Sequence, residues 1–194
     1  MSGATPGSGS TTWIGFLRAV NVGGRKVEMA RLRELLTGMG LDRVRSYIAS
    51  GNVFFDSELD PGSARARAEL TAAVEQRLEQ EFGFAIPTVL RTVAEVEAAL
   101  AAAPFADIEV TPEIRLSIAF LSGPLVGAEL PLRSPKGDWE LLAATDGEAF
   151  VLSRLQDGRL GANPVAAVEK TFGVTATARF FHTTEKIVAA AKKR

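Results

Sequence analysis

Residues 13–56 contain four patterns in succession: a short apolar run, a polar loop with glycines, a helical pattern and a hairpin pattern. The run over 13–17 is apolar at nearly every position, which is typical of a strand buried on both faces. The loop over 18–26 contains asparagine and glycine, which tolerate the positive φ angles of sharp turns. A helical pattern begins at about Glu28. The sequence therefore predicts a central strand joined by a sharp polar loop to the N-terminus of a helix.

The next elements complete one half of the chain. Two β-branched and aromatic runs, at 44–48 and 53–55, are separated by turn residues, which predicts a pair of antiparallel strands. A second helical pattern follows, and residues 84–90 then predict a strand with a proline typical of a sheet edge. The resulting order β-α-β-β-α-β over residues 13–92 is the split-βαβ, ferredoxin-like pattern.

This topology predicts where two polar segments meet. In the ferredoxin-like order, the first strand lies between the third and fourth strands and is antiparallel to the third. The end of the first strand therefore lies beside the hairpin that joins the second and third strands. We expect the loop over 18–26 and the turn over 50–52 to converge at one end of the sheet.

The second half of the chain repeats the first in reduced form. Strand patterns resume at residue 114, while residues 122–138 are rich in Gly and Pro and predict at most a short helix. A shift of 90 residues aligns four residues with partners of the same type: Glu79, Phe82, Gly83 and Glu95 with Glu169, Phe172, Gly173 and Glu185. We interpret the chain as an α+β protein whose two ferredoxin-like halves arose by internal duplication and pack as one compact body. The predicted divisions are a disordered tail over 1–12, an N-terminal half over 13–92, a bridging helix and linker over 93–113, and a C-terminal half with a closing helix over 114–194.

Composition excludes several classes of chemistry. The 194 residues include no cysteine, which removes disulfides, thiol nucleophiles and thiolate metal sites. His182 is the one histidine, so we expect no histidine-rich metal centre. No cofactor is expected either. The net charge of −1 disfavours broad nonspecific binding to nucleic acid. No apolar run approaches the roughly 20 residues that span a bilayer, and the Gly/Ser/Thr-rich opening lacks the apolar core of a signal peptide, so we expect a cytoplasmic protein with no membrane partner.

Two motifs in the first half carry a family resemblance. Residues 16–24 read Phe-Leu-Arg-Ala-Val-Asn-Val-Gly-Gly, and residues 47–54 read Tyr-Ile-Ala-Ser-Gly-Asn-Val-Phe. In type and spacing they resemble a bacterial family catalogued as domain of unknown function 1697. The resemblance implies a match over residues 13–192, a fold of two ferredoxin-like α/β halves and no established activity.

The C-terminal portion departs from that family. Members usually close a strand with Arg-Asn-Trp-Asn-Thr, whereas this chain has Arg-Phe-Phe-His-Thr over 179–183. Arg179 and Thr183 match, Phe181 stands in place of tryptophan, and His182 replaces asparagine. The N-terminal loop and turn are therefore the firmer basis for a site.

The junction of the first strand and helix has the features of an anion site. The first N–H groups of a helix are unpaired and carry partial positive charge, and Arg18 can grip a carboxylate or phosphate. The loop equally fits a glycine-rich connection with solvated basic residues, and Asn21, Ser50 and Asn52 can serve the turns alone. The candidate ligand-binding residues are Arg18, Asn21, Gly23, Gly24, Lys26, Ser50, Gly51, Asn52 and Arg179.

Three functional hypotheses follow. The first is binding of a small anionic ligand, such as a nucleotide or phosphorylated metabolite, by the loop and turn. The second is nucleic-acid binding through a basic face, and the third is a metal-independent enzyme of unidentified substrate. No catalytic residue emerges, because His182 has no neighbouring Ser or Asp in the sequence that would complete a triad. The oligomeric state is not specified.

Overall fold

The computed structural model describes residues 9–193, which form nine strands and five helices. Up to residue 102 these elements are β1 (Thr11–Leu17), α1 (Met29–Gly38), β2 (Asp42–Tyr47), β3 (Asn52–Ser57), α2 (Ala64–Phe82), β4 (Thr88–Thr92) and α3 (Val93–Ala102). In the second half they are β5 (Ile114–Leu121), β6 (Leu132–Arg133), β7 (Trp139–Ala144), β8 (Glu148–Arg154), α4 (Pro164–Phe172), β9 (Ala176–Phe180) and α5 (Phe181–Ala191). The protein is thus a mixed α/β fold with two antiparallel sheets.

The first sheet has the strand order β2-β3-β1-β4, and every neighbouring pair is antiparallel. Its central strand β1 is buried from Trp13 to Leu17, as its apolar run predicts. On the face that carries Trp13, apolar side chains of α1 and α2 complete a buried cluster that includes Leu32 and Leu78. The predicted positions of β1 at the centre and β4 at an edge are confirmed.

Local signals mark both ends of α2 and α4. Ser63 accepts a 3.2 Å hydrogen bond from the N–H of Ala66 and so caps α2, as predicted. Gly83 ends this helix with φ of 78°, a left-handed conformation that glycine adopts without steric cost. In the second half, Asn163 caps α4 and Gly173 ends it with φ of 68°.

The second sheet has the order β6-β7-β8-β5-β9, again antiparallel throughout. No helix forms over residues 122–138 of the described chain, and the two-residue strand β6 lies there instead. This agrees with the prediction of at most a short helix. The four strands β7-β8-β5-β9 correspond in order to β2-β3-β1-β4.

Equivalent hydrogen bonds recur in the two sheets. The N–H of Leu17 donates to the carbonyl of Gly51 at 2.8 Å, and the N–H of Leu121 donates to the carbonyl of Gly147 at the same distance. Both bonds join the end of a central strand to the hairpin beside it. The sheets therefore share strand order and the way in which their hairpins are fastened.

Several boundaries differ from the sequence expectation. β1 begins at Thr11, so the last two residues of the tail predicted over 1–12 pair with β3 instead, while residues 1–8 lie outside the described chain. β4 begins at Thr88 rather than at residue 84. Residues 84–87 form the irregular connection between α2 and the sheet, which we call the approach to β4. Contacts between Cα atoms divide the chain into two compact units with the boundary between Val93 and Ala94, which assigns nearly all of α3 to the second unit. Within the described residues, no helix is long and apolar enough to cross a membrane.

Candidate ligand-binding site

The loop after β1 is a small hairpin. The N–H of Arg18 donates to the carbonyl of Pro87 at 2.8 Å, which fastens the start of the loop to the approach to β4. The N–H of Asn21 donates to the carbonyl of Arg25 at 2.7 Å, and the N–H of Arg25 donates back to the carbonyl of Val22 at 3.1 Å. Between these bonds the chain turns through two glycines. The loop is therefore an ordered projection with a glycine tip.

The side chain of Asn21 joins this loop to the β2-β3 turn. Its amide nitrogen donates to the carbonyl of Ala49 at 2.6 Å and to the carbonyl of Val27 at 3.2 Å. Its amide oxygen accepts from the N–H of Val27 at 2.9 Å. The predicted convergence of the two polar segments is thus present, and Asn21 holds them together.

The turn residues Gly51 and Asn52 are fixed by packing. A Cβ at Gly51 would lie 3.0 Å from Leu17 Cβ and 3.2 Å from the Leu17 carbonyl oxygen, and the φ of Gly51 is 80°. Glycine is therefore required there. Asn52 is fully buried, and its amide donates to the carbonyl of Tyr47 at 3.2 Å and to the hydroxyl oxygen of Ser50 at 3.0 Å. These residues shape the turn against the end of β1.

The hairpin loop carries cationic side chains. The guanidinium carbon of Arg25 lies 5.2 Å from the ring centroid of Phe84, a cation–π distance, and Lys26 Nζ lies 3.6 Å from the carboxylate of Glu28. Glu28 is the N-cap residue of α1, so a carboxylate of the protein already sits at the helix N-terminus. With Arg18, the segment carries three cations against one carboxylate. A bound anion would thus depend on the loop more than on the helix end.

The backbone of the loop offers unpaired donors. Positive φ angles occur at Ala19, Asn21 and Gly23, alternating with residues of negative φ, and again at Gly24. Alternation of this kind turns successive N–H groups toward a common concavity, a geometry that binds anions. Within residues 9–193, the N–H groups of Gly23 and Gly24 donate no hydrogen bond, and the space beside both Cα atoms is open.

The equivalent end of the second sheet has different chemistry. The segment after β5, residues 122–131, contains no Lys or Arg and one acidic residue, Glu129. The hairpin beside it contributes Asp146. The two sheets share this strand arrangement, and the second forms it without Lys or Arg at this place. The strand arrangement therefore does not require the cations of the first loop.

Arg179, the remaining candidate, lies in β9 of the second unit. Its guanidinium donates to the hydroxyl oxygen of Thr177 and to the carbonyl of Ala178, both at 2.9 Å, and burial lowers its pKa to about 10. Nearby, the ring of His182 stacks on Phe180. The role of Arg179 in ligand binding stays a prediction.

Sequence reasoning missed two apolar residues of this region. Val22 is 57% exposed and Ile48 is 49% exposed, and they adjoin Asn21 and Ala49, the two residues joined by the 2.6 Å hydrogen bond. The sequence predicts that Ile48 ends a strand, but β2 ends at Tyr47 and Ile48 lies in the turn with φ of 49°. The sequence signal that could have identified Val22 and Ile48 is an apolar residue next to residues typical of turns.

The fold and the loop define a class: a mixed α/β protein with two antiparallel sheets and a cationic strand-to-helix loop. The chain belongs to the family described as protein of unknown function DUF1697, which matches residues 10–150. The match contains both motifs on which the resemblance rests, and it ends before the divergent segment 179–183.

A similar solved structure is that of a conserved bacterial protein from Streptococcus pneumoniae. It is 25% identical, with a TM-score of 0.67, and the match covers 95% of this chain and 100% of the other. No curated protein matches the chain.

Proposed function

We propose that this protein binds a small anionic ligand, a nucleotide or a phosphorylated metabolite, at the hairpin loop over 18–26 and the turn over 48–52. The observation that carries the proposal is the contrast between the two sheets. At the same place in the same strand arrangement, the first sheet carries Arg18, Arg25 and Lys26, and the second carries no cation.

Three features support an anion at this loop. The cations form a local surplus of positive charge in a chain whose net charge is −1. The N–H groups of Gly23 and Gly24 add donors that cost no reorganisation, because the loop is already fastened by Asn21. Arg18 and its guanidinium fork suit bidentate recognition of phosphate. Ser50 and Asn52 shape the turn beside the loop, Asn52 from a fully buried position, and no catalytic group is proposed.

The proposal extends to the architecture. We infer that each half is a ferredoxin-like unit and that the two arose by duplication, with the second having lost its first helix. The matching strand orders and the paired bonds Leu17 to Gly51 and Leu121 to Gly147 support this inference. The cytoplasmic location expected from composition stays a prediction.

A thermal-shift screen tests the proposed ligand class. Nucleotides, sugar phosphates, polyphosphate and short RNA are each titrated against the protein, since a ligand at 100 times its Kd stabilises by about 2.7 kcal/mol. We expect a shift with a small anion that is lost in Arg18→Ala and retained in Arg65→Ala, a control whose side chain is 90% exposed on α2.

Two outcomes would contradict the proposal. A shift with RNA alone, falling steeply as salt rises, would favour the nucleic-acid alternative because counterion release sets that slope. A ligand shift that survives in Arg18→Ala would remove the loop as the site.

A further inference from the structure

We propose that the anion bound at this loop carries a planar ring, so that the ligand is a nucleotide and not a sugar phosphate. This inference rests on the proposed function and deepens it. Its basis is the apolar rim formed by Val22 and Ile48, one on the hairpin loop and one on the turn. Val22 belongs to the same loop as Arg18, Arg25 and Lys26.

Val22 and Ile48 lie on two segments that a side-chain hydrogen bond joins, and each is one residue from an end of that bond. Val22 directly follows Asn21, Ile48 directly precedes Ala49, and the 2.6 Å hydrogen bond between Asn21 and Ala49 joins the two segments at that point. Both side chains are about half exposed to solvent. Exposed apolar residues that lie together beside polar groups mark ligand or partner surfaces more often than single ones do.

The conformation of Ile48 is costly for folding alone. Its φ of 49° lies in the left-handed region, where a β-branched side chain is crowded by its own backbone. Asparagine or glycine would occupy this position with less strain and would expose no apolar surface. Isoleucine at this position therefore makes the fold no more stable than asparagine or glycine would. Backbone strain of this kind is concentrated at functional sites.

Charge selects the occupant of the rim. Arg18, Arg25 and Lys26 lie on the same loop as Val22, so the partner must present negative charge beside an apolar face. A nucleoside phosphate has both parts, because its base offers a flat apolar face and its phosphate offers oxygens to guanidinium and N–H donors. A sugar phosphate has the second part alone and leaves the rim in water.

The test compares four nucleoside monophosphates with ribose 5-phosphate by titration calorimetry. We expect at least one nucleotide to bind about tenfold more tightly than ribose 5-phosphate, which corresponds to about 1.4 kcal/mol for contact of the base with the rim. In Ile48→Asn the nucleotide should lose about tenfold in affinity, while ribose 5-phosphate should bind unchanged. The melting temperature should be equal or higher, since asparagine tolerates a positive φ.

Two further variants complete the design. Val22→Ser tests the other residue of the rim without altering the backbone of the turn, and it should reduce nucleotide affinity in the same way. Val126→Ser is the matched control, because Val126 is 83% exposed in the second unit, and it should change neither affinity.

The possible failures are distinguishable. Equal affinity for nucleotides and ribose 5-phosphate, unchanged in both rim variants, would overturn the ring preference and leave the anion site standing. Absence of binding by every phosphate compound would overturn both proposals. Nucleotide binding could also be lost in Arg18→Ala but retained in Ile48→Asn and Val22→Ser. That result would contradict contact between the base and the rim and would assign the base to another surface.

Discussion

The side-chain amide of Asn21 donates a 2.6 Å hydrogen bond to the carbonyl of Ala49, which joins a loop and a turn that are far apart in sequence. The same side chain also bonds both the N–H and the carbonyl of Val27. One residue thus fixes the shape of the hairpin loop and its position beside the turn. Folding alone can supply a preorganised loop here, before any ligand arrives.

Replacement of Asn21 separates its two contributions. Asn21→Gly keeps the positive φ of 55° but removes three side-chain hydrogen bonds, of which two are part-buried and one is exposed. We expect a loss of about 1–2 kcal/mol in the free energy of unfolding. Asn21→Ala should lose roughly 1 kcal/mol more, the cost of a left-handed alanine. Urea denaturation of the two variants measures the difference, and equal stabilities would contradict the strained conformation.

Gly51 and Gly23 form a matched pair for a second prediction. Gly51→Ala combines a φ of 80° with contacts of the new Cβ against Leu17, so we expect a loss of about 2–4 kcal/mol from backbone strain and overpacking. Gly23→Ala has a φ of 58° but open space around it, and it should lose only about 1 kcal/mol. Melting temperatures that fall equally in the two variants would show that close packing at Gly51 is unimportant.

The helix cap at Ser63 gives a third prediction. Its hydroxyl oxygen accepts the N–H of Ala66, an otherwise unpaired donor in the first turn of α2. Ser63→Ala should therefore reduce the free energy of unfolding by about 1 kcal/mol. Ser63→Asp should retain most of the stability that the cap contributes, because aspartate also accepts this hydrogen bond. Chemical denaturation of both variants checks this, and an aspartate variant as unstable as the alanine variant would contradict the cap.

Local sequence signals predicted much of the first sheet. The apolar run of β1, the cap at Ser63 and the stop at Gly83 each depend on a short stretch of sequence, and each is present in the fold. The meeting of loop and turn followed from topology. The run, the cap and the stop need no knowledge of distant packing, whereas the meeting of loop and turn needs the strand order.

Other features depend on contacts that local patterns do not encode. The ring of Phe84 lies under Arg25 because the approach to β4 returns beside the hairpin loop, and nothing in either segment indicates the other. Ile48 has strong strand propensity, yet the tight turn forces it to a positive φ. The alignment of halves by 90 residues holds at Gly83 and Gly173, but β4 and β9 begin at Thr88 and Ala176, 88 residues apart. A fixed shift therefore misaligns the helices that follow.

A final prediction concerns Asp138, a buried carboxylate in the second unit. The hydroxyl of Ser134 donates to it and the N–H of Ala162 donates to it at 2.7 Å, and these bonds hold its pKa below the ordinary value of 3.8. A Cβ at Gly161 would collide with the same carboxylate, so the segment before α4 is packed directly on it. The charged form of Asp138 therefore fastens this segment to the β6-β7 hairpin.

The sign of the pH dependence follows from the lowered pKa. Asp138 contributes stability that is fully present above the unfolded pKa and is lost as pH falls through the lower folded pKa, so the change lies below about pH 4. Asp138→Asn should melt at a lower temperature than the wild-type chain at pH 7, and the difference should shrink as pH falls from 4 to 2. Asp146→Asn, at an exposed turn, is the control and should track the wild-type chain. A difference in melting temperature between wild type and Asp138→Asn that stays constant from pH 4 to pH 2 would contradict this. The carboxylate would then stabilise the segment by its shape and not by its charge.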